Sequence, residues 1–173
     1  MKITLILSLN APLLALYAAS AQGNFGNLNF EQANLSAIPP STLVFVSISD
    51  GLPNWTGYIG ANQATQILHN GLTLGAPSIS ILGPDYFANQ IIAGKYTAVL
   101  QSGEIGASLI DTSIGQTGLV PADARFLQFK SWGSSQPVLS FAGNNIPFSA
   151  IGSAPITRST RPTSRPLRAK LAN

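Results

Sequence analysis

Six carboxylates follow the first 21 residues: Glu31, Asp50, Asp85, Glu104, Asp111 and Asp123. A glycoside hydrolase needs two such groups facing each other across the scissile bond, and none of the six lies in a catalytic motif. Asp50-Gly51 and Pro84-Asp85 are turn dipeptides. His69 is the single histidine, so a Ser-His-Asp triad would have to use it. No Gly-x-Ser-x-Gly elbow accompanies it, and His69 reads as a surface or hydrogen-bonded structural residue at a strand end. The chain has no cysteine, which excludes disulfides, thiol catalysis and cysteine-type zinc sites together. No catalytic residue is assigned, and the expectation is a non-enzyme.

Aromatic side chains are the other candidates for chemistry. Trp132, Tyr58, Trp55 and Tyr86 could stack on a sugar, with the abundant Asn and Gln side chains supplying hydrogen bonds. Trp55, between Pro53-Asn54 and Thr56-Gly57, reads as a core anchor. Trp132, beside Gly133-Ser134-Ser135 at a strand end, is the better candidate for exposure. Asn34-Leu35-Ser36 and Asn54-Trp55-Thr56 match the glycosylation sequon, a three-residue pattern that assigns them no function.

The elements that must position these residues are short strands. Only 9% of the 173 residues are charged, against about 25% in ordinary soluble domains. The surface must therefore be built from Asn, Gln, Ser, Thr and Gly. Sixteen Gly and twelve Pro imply many turns. Leu43 to Ser49 is β-branched and aromatic, and Asp50-Gly51 and Pro53 close it. Further strands are expected over Trp55 to Ile59, Gln66 to His69, Ser78 to Leu82, Lys95 to Gln101, Ser108 to Gln116, Arg125 to Trp132, Val138 to Phe141 and Ile146 to Ile151. The one helical expectation is a turn near Ala61 to Ile67. Short strands at spacings of about ten residues predict an all-β sandwich or barrel.

Three compositional zones divide the chain. Met1-Lys2, an apolar run from Ile3 to Ala18 and the small residues Ala19-Ser20-Ala21 form a signal-peptide pattern, with cleavage expected after Ala21. The run is too short and too interrupted for a membrane span. Residues 22–155 form the expected sandwich domain, and residues 156–173 a disordered basic tail. The net charge of +3 is misleading, since five of nine basic residues lie after Ile156. Between Gln22 and Thr157 three basic residues face six acidic ones, so the body offers no basic patch and no nucleic-acid partner is expected.

Asn27-Leu28-Asn29-Phe30-Glu31, Leu52-Pro53-Asn54-Trp55, Gly94 to Gln101, Ile114 to Gly118 and Phe126 to Phe129 occur in an order that resembles jelly-roll, galactose-binding-like modules. Together they look most like exported bacterial proteins of unknown activity that commonly end in a PEP-CTERM sorting tail. The resemblance covers about Asn27 to Pro155. It implies a jelly-roll sandwich, a secreted or cell-surface address, and a role for Glu31 in holding a structural calcium. It also implies further strands after Pro155, and with them the late acidic partner of Glu31. Instead the chain turns to Ile156-Thr157-Arg158-Ser159-Thr160-Arg161.

Starting each triplet at the last base of the preceding codon lets the tail spell NYTVYAADISAFAGQTGE, a polar/apolar strand followed by a turn of the kind this resemblance implies. The sequence is accordingly expected to be a C-terminally truncated member of that group. Its expected role is a non-catalytic cell-envelope or matrix protein that binds extracellular polysaccharide through loops at one end of the sandwich. A purely structural or adhesive protein and a glycan-active hydrolase are the alternatives. Sequencing the codons from Pro155 onward checks the frame: the shifted string should be spelled by the nucleotides, and a mismatch makes the basic tail genuine.

Overall fold

Val44–Ser47, the β-branched and aromatic run, forms β1 and stops where Ser47 caps a single helical turn, α1 (Ile48–Gly51). The Ser47 hydroxyl accepts from the Asp50 N–H, satisfying one of the donors a helix start leaves unpaired. A computed structural model of the chain describes residues 24–35, 44–83, 91–133, 135–153 and, for the backbone alone, 165–170. The expected leader, Tyr86 and Asp85 lie outside the described residues, as do residues 154–164 and 171–173.

The strands that follow are β2 (Thr56–Ile59), β3 (Asn62–Ala64), β4 (Gln66–His69), β5 (Ser78–Leu82), β6 (Thr97–Gln101), β7 (Gly103–Ile105), β8 (Ser108–Ile110) and β9 (Thr112–Gly115). Further along come β10 (Phe126–Ser131), β11 (Ser140–Phe141), β12 (Asn144–Asn145), β13 (Phe148–Ala150) and β14 (Arg165–Lys170). The helical turn expected near Ala61 to Ile67 is not formed. Gly60, at a φ of 58°, opens a tight hairpin, and β3 and β4 occupy that stretch. The only helix among the described residues is α1.

The fold is an all-β sandwich and not a closed barrel. One sheet has the order β1-β4-β5-β6, antiparallel except for the parallel β4–β5 pair. The other has the order β3-β2-β9 and is wholly antiparallel. They pack through β2 and β9 against β5 and β6. The alternation Ser-Ile-Ser-Ile in β5 points Ile79 and Ile81 between the sheets, where they join Leu35, Val46, Leu52, Ala64 and Ile67. Every residue of β5 is buried, as expected of an inner strand covered on both faces.

The β7–β8 hairpin, the β11–β12 ribbon and a three-stranded sheet β10-β14-β13 complete the described structure. None of the described residues from Glu104 to Ser153 is buried. Leu127, Phe129 and Phe148 are only half-buried, with Phe129 and Phe148 meeting edge to face at 5.3 Å. In the tail expected to be disordered, Arg165–Lys170 is a strand, paired with β10 on one side and β13 on the other. Its Pro166 lies opposite Lys130 and beyond the reach of β13, where a missing backbone donor is least costly.

These burial differences predict where stability resides. Ile81→Ala should cost about 2–5 kcal/mol, whereas Val138→Ala, at an exposed position, should stay within about 0.5 kcal/mol. Urea unfolding of the two variants checks this.

Candidate functional site

The turn Asn27–Gln32 organises the polar end of the sandwich. Asn27 takes a φ of 50°, a region that asparagine tolerates better than most residues. Its side-chain NH2 donates to Pro53 O (3.0 Å), and its side-chain oxygen accepts from the Gln32 N–H (3.0 Å). Its carbonyl accepts from the Phe30 N–H and from the Trp55 indole N–H (3.0 Å). One residue earlier, Gly26 and the Gln116 side chain exchange two hydrogen bonds.

Trp55 is therefore a structural anchor. Its ring packs on Phe30 at 5.3 Å and against the core, and its one donor is occupied. Three residues on, Tyr58 lies on the opposite face of β2. Strand alternation sends Gly57 and Ile59 toward the core and leaves Tyr58 37% exposed on the outer surface. There it stands in register between Gln63 of β3 and Ser113 of β9. Trp132, just past the end of β10, is 44% exposed. The candidate aromatics thus do not form one platform, and Tyr86 lies outside the described residues.

Glu31 has a defined partner set. Both of its carboxylate oxygens accept from the Lys95 N–H at 2.9 Å, and Oε1 also accepts from the Tyr96 N–H at 3.2 Å. Gly94, at a φ of 70°, allows this approach, because a Cβ there would overlap the carboxylate. The resemblance implies calcium at Glu31, a cation that takes six to eight oxygen ligands. In the structure the positive ends of two backbone dipoles face the carboxylate instead. No group of three or more His, Cys, Asp or Glu gathers among the described residues. The surroundings of Glu31 fit an acceptor for β6, not a calcium ligand.

Two of the remaining acids, Asp50 and Asp111, are also tied to serines. Asp50 Oδ2 accepts from Ser47 Oγ at 2.6 Å, and Asp111 Oδ1 accepts from Ser102 Oγ at 3.0 Å. His69, expected at the surface or in a hydrogen-bonded structural role, is buried at 4% exposure. Its Nε2 borders Gly83, as does the Tyr96 ring, and Asn70 beside it accepts from the Gly83 N–H at 2.7 Å. Sequence reasoning missed Asn27, Asn70 and Gln116. Each acts through a partner 13 to 90 residues away, and no local spacing signals such a pair.

Comparison with protein families, with curated proteins and with solved structures finds no match to this chain.

If Glu31 serves β6, Glu31→Ala should lose about 1.5–3 kcal/mol, the usual worth of a hydrogen bond to a charged group. Glu31→Gln should recover part of it through its remaining amide oxygen. Thermal melts with calcium and with a chelator should coincide for the wild type. A calcium-dependent rise abolished in Glu31→Gln would return the site to the metal.

Proposed function

We propose that this chain is an exported, non-catalytic cell-envelope protein that binds extracellular polysaccharide on the outer face of the β3-β2-β9 sheet. The observation that carries the reading is the row Gln63–Tyr58–Ser113, which places an exposed phenol ring on a central strand between two neutral hydrogen-bonding side chains. A phenol ring offers a flat apolar face for sugar C–H groups and a hydroxyl for hydrogen bonding. Gln and Ser offer both donors and acceptors. Nothing in the row is ionised, which suits a neutral glycan. The loop end that the sequence pointed to is less suited, because Asn27, Gln116 and Trp55 spend their polar groups on one another and on the backbone.

Export rests on the leader pattern of residues 1–21 and on a surface poor in charge. The non-catalytic reading rests on the carboxylates: Glu31, Asp50 and Asp111 are each engaged in hydrogen bonds to the protein's own backbone or serines.

Native gels cast with neutral polysaccharides provide the test. The wild type should be retarded. Tyr58→Ala should weaken binding about fivefold, the equivalent of about 1 kcal/mol for one ring contact, without lowering the melting temperature. Absence of retardation across cellulose, xylan and glucan supports the structural or adhesive alternative. Release of reducing ends establishes the hydrolase.

A further inference from the structure

The sheet β10-β14-β13 turns one face to solvent, and strand register decides which residues share it. In an antiparallel ladder, directly opposed residues lie on the same face. Lys170 stands opposite Phe126, Arg168 stands between Gln128 and Ser149, and Pro166 stands opposite Lys130. Phe126, Gln128, Lys130 and Ser149 are exposed, whereas Leu127, Phe129 and Phe148 on the other face are half-buried. The exposed face therefore gathers Lys130 with Arg168 and Lys170, two cations of the stretch after Ile156. Alternate residues of a strand are about 7 Å apart, and diagonal neighbours across a ladder about 7–8 Å. Lys130, Arg168 and Lys170 accordingly cross the face in steps of about that length. The cross-strand neighbours of each cation are uncharged, and none of the three strands contains an acidic residue. Glu31, Asp50 and Asp111 accept hydrogen bonds from groups outside this sheet.

We propose that this face binds an acidic polysaccharide. Three like charges on two adjacent strands repel one another, and an anionic polymer laid across them relieves that repulsion. Gln128 and Ser149, on either side of Arg168, supply donors and acceptors for hydroxyl groups, which a polysaccharide carries along its whole length. Nucleic acid fits the face less well. A single strand is held by aromatic side chains that stack on successive bases, and this face has one aromatic, Phe126, at its corner. An anionic bilayer also fits less well, because the basic clusters that recognise one hold about 4–8 Lys or Arg. Binding through surface cations is screened by salt. The site shares no residue with the Gln63–Tyr58–Ser113 row and stands independently of it.

Lysine acetylation of the full chain, with and without polygalacturonate at low salt, provides the test. The polymer should protect Lys130 and Lys170 severalfold, while Lys95, exposed and outside this sheet, reacts as before. Absence of protection, or equal protection of Lys95, overturns the proposal. This footprint uses the unaltered chain, so it holds whatever substitutions do to folding. In titrations, Lys130→Gln and Arg168→Gln should each weaken binding about threefold, and Lys130→Arg should retain it. Arg158→Gln and Arg161→Gln change cations that precede β14 and should leave binding unchanged. A loss spread evenly over all four Gln variants assigns binding to the net charge of the tail. Methyl-esterified polygalacturonate, which lacks the charge, should not bind. Tighter binding of oligothymidylate assigns the face to nucleic acid, and tighter binding of phosphatidylglycerol vesicles assigns it to a membrane. An even loss, binding of the ester or either tighter partner overturns the acidic-polysaccharide assignment.

Discussion

One short turn fastens the two sheets to each other. Asn27 holds Pro53 and Trp55, which lead into β2 of one sheet, and Glu31 holds the Lys95 and Tyr96 N–H groups, which lead into β6 of the other. Gly26 adds the link to Gln116, just past β9. Hydrophobic burial between the sheets is non-directional. It favours contact between Ile79, Ile81 and their neighbours without fixing how the strand ends meet. The directional hydrogen bonds of residues 26–31 supply that geometry, and the polar groups there are consequently committed to structure.

That commitment shapes where function can reside. Groups spent on a clamp are poor recognition groups, and the proposed binding face is accordingly placed on the sheet surface around Tyr58, away from the loop end. The same logic separates the two aromatics of the Trp55-Thr56-Gly57-Tyr58 stretch. Trp55 has the larger apolar surface and a donor that finds a carbonyl, and it closes the core. Tyr58, one strand alternation out of phase, faces water.

Much of the strand pattern is legible in the sequence because period-2 alternation is a local signal. Ser78 to Leu82 is delimited correctly by Pro77 and Gly83, and Val44–Ser47 and Thr97–Gln101 fall within their expected runs. The stretch Ala61 to Ile67 misleads because Asn, Gln and Ala tolerate a helix. The hairpin opened by Gly60 and pairing with β2 decide otherwise. Arg165–Lys170 is a similar case, since its charged, proline-containing sequence has no strand period, yet β10 and β13 flank it on both sides.

The sequence by itself determined the all-β class, the absence of thiol chemistry and the aromatic and carboxylate inventory, because these follow from composition and from neighbours a few residues apart. Only the tertiary structure decided which members of that inventory are available. Glu31 is paired with residues 64 and 65 positions away, Trp55 with one 28 away, and Tyr58 gains Gln63 and Ser113 as flanks only through strand register. Side-chain type is a local property, whereas exposure and partnership are set by long-range packing that no local spacing encodes.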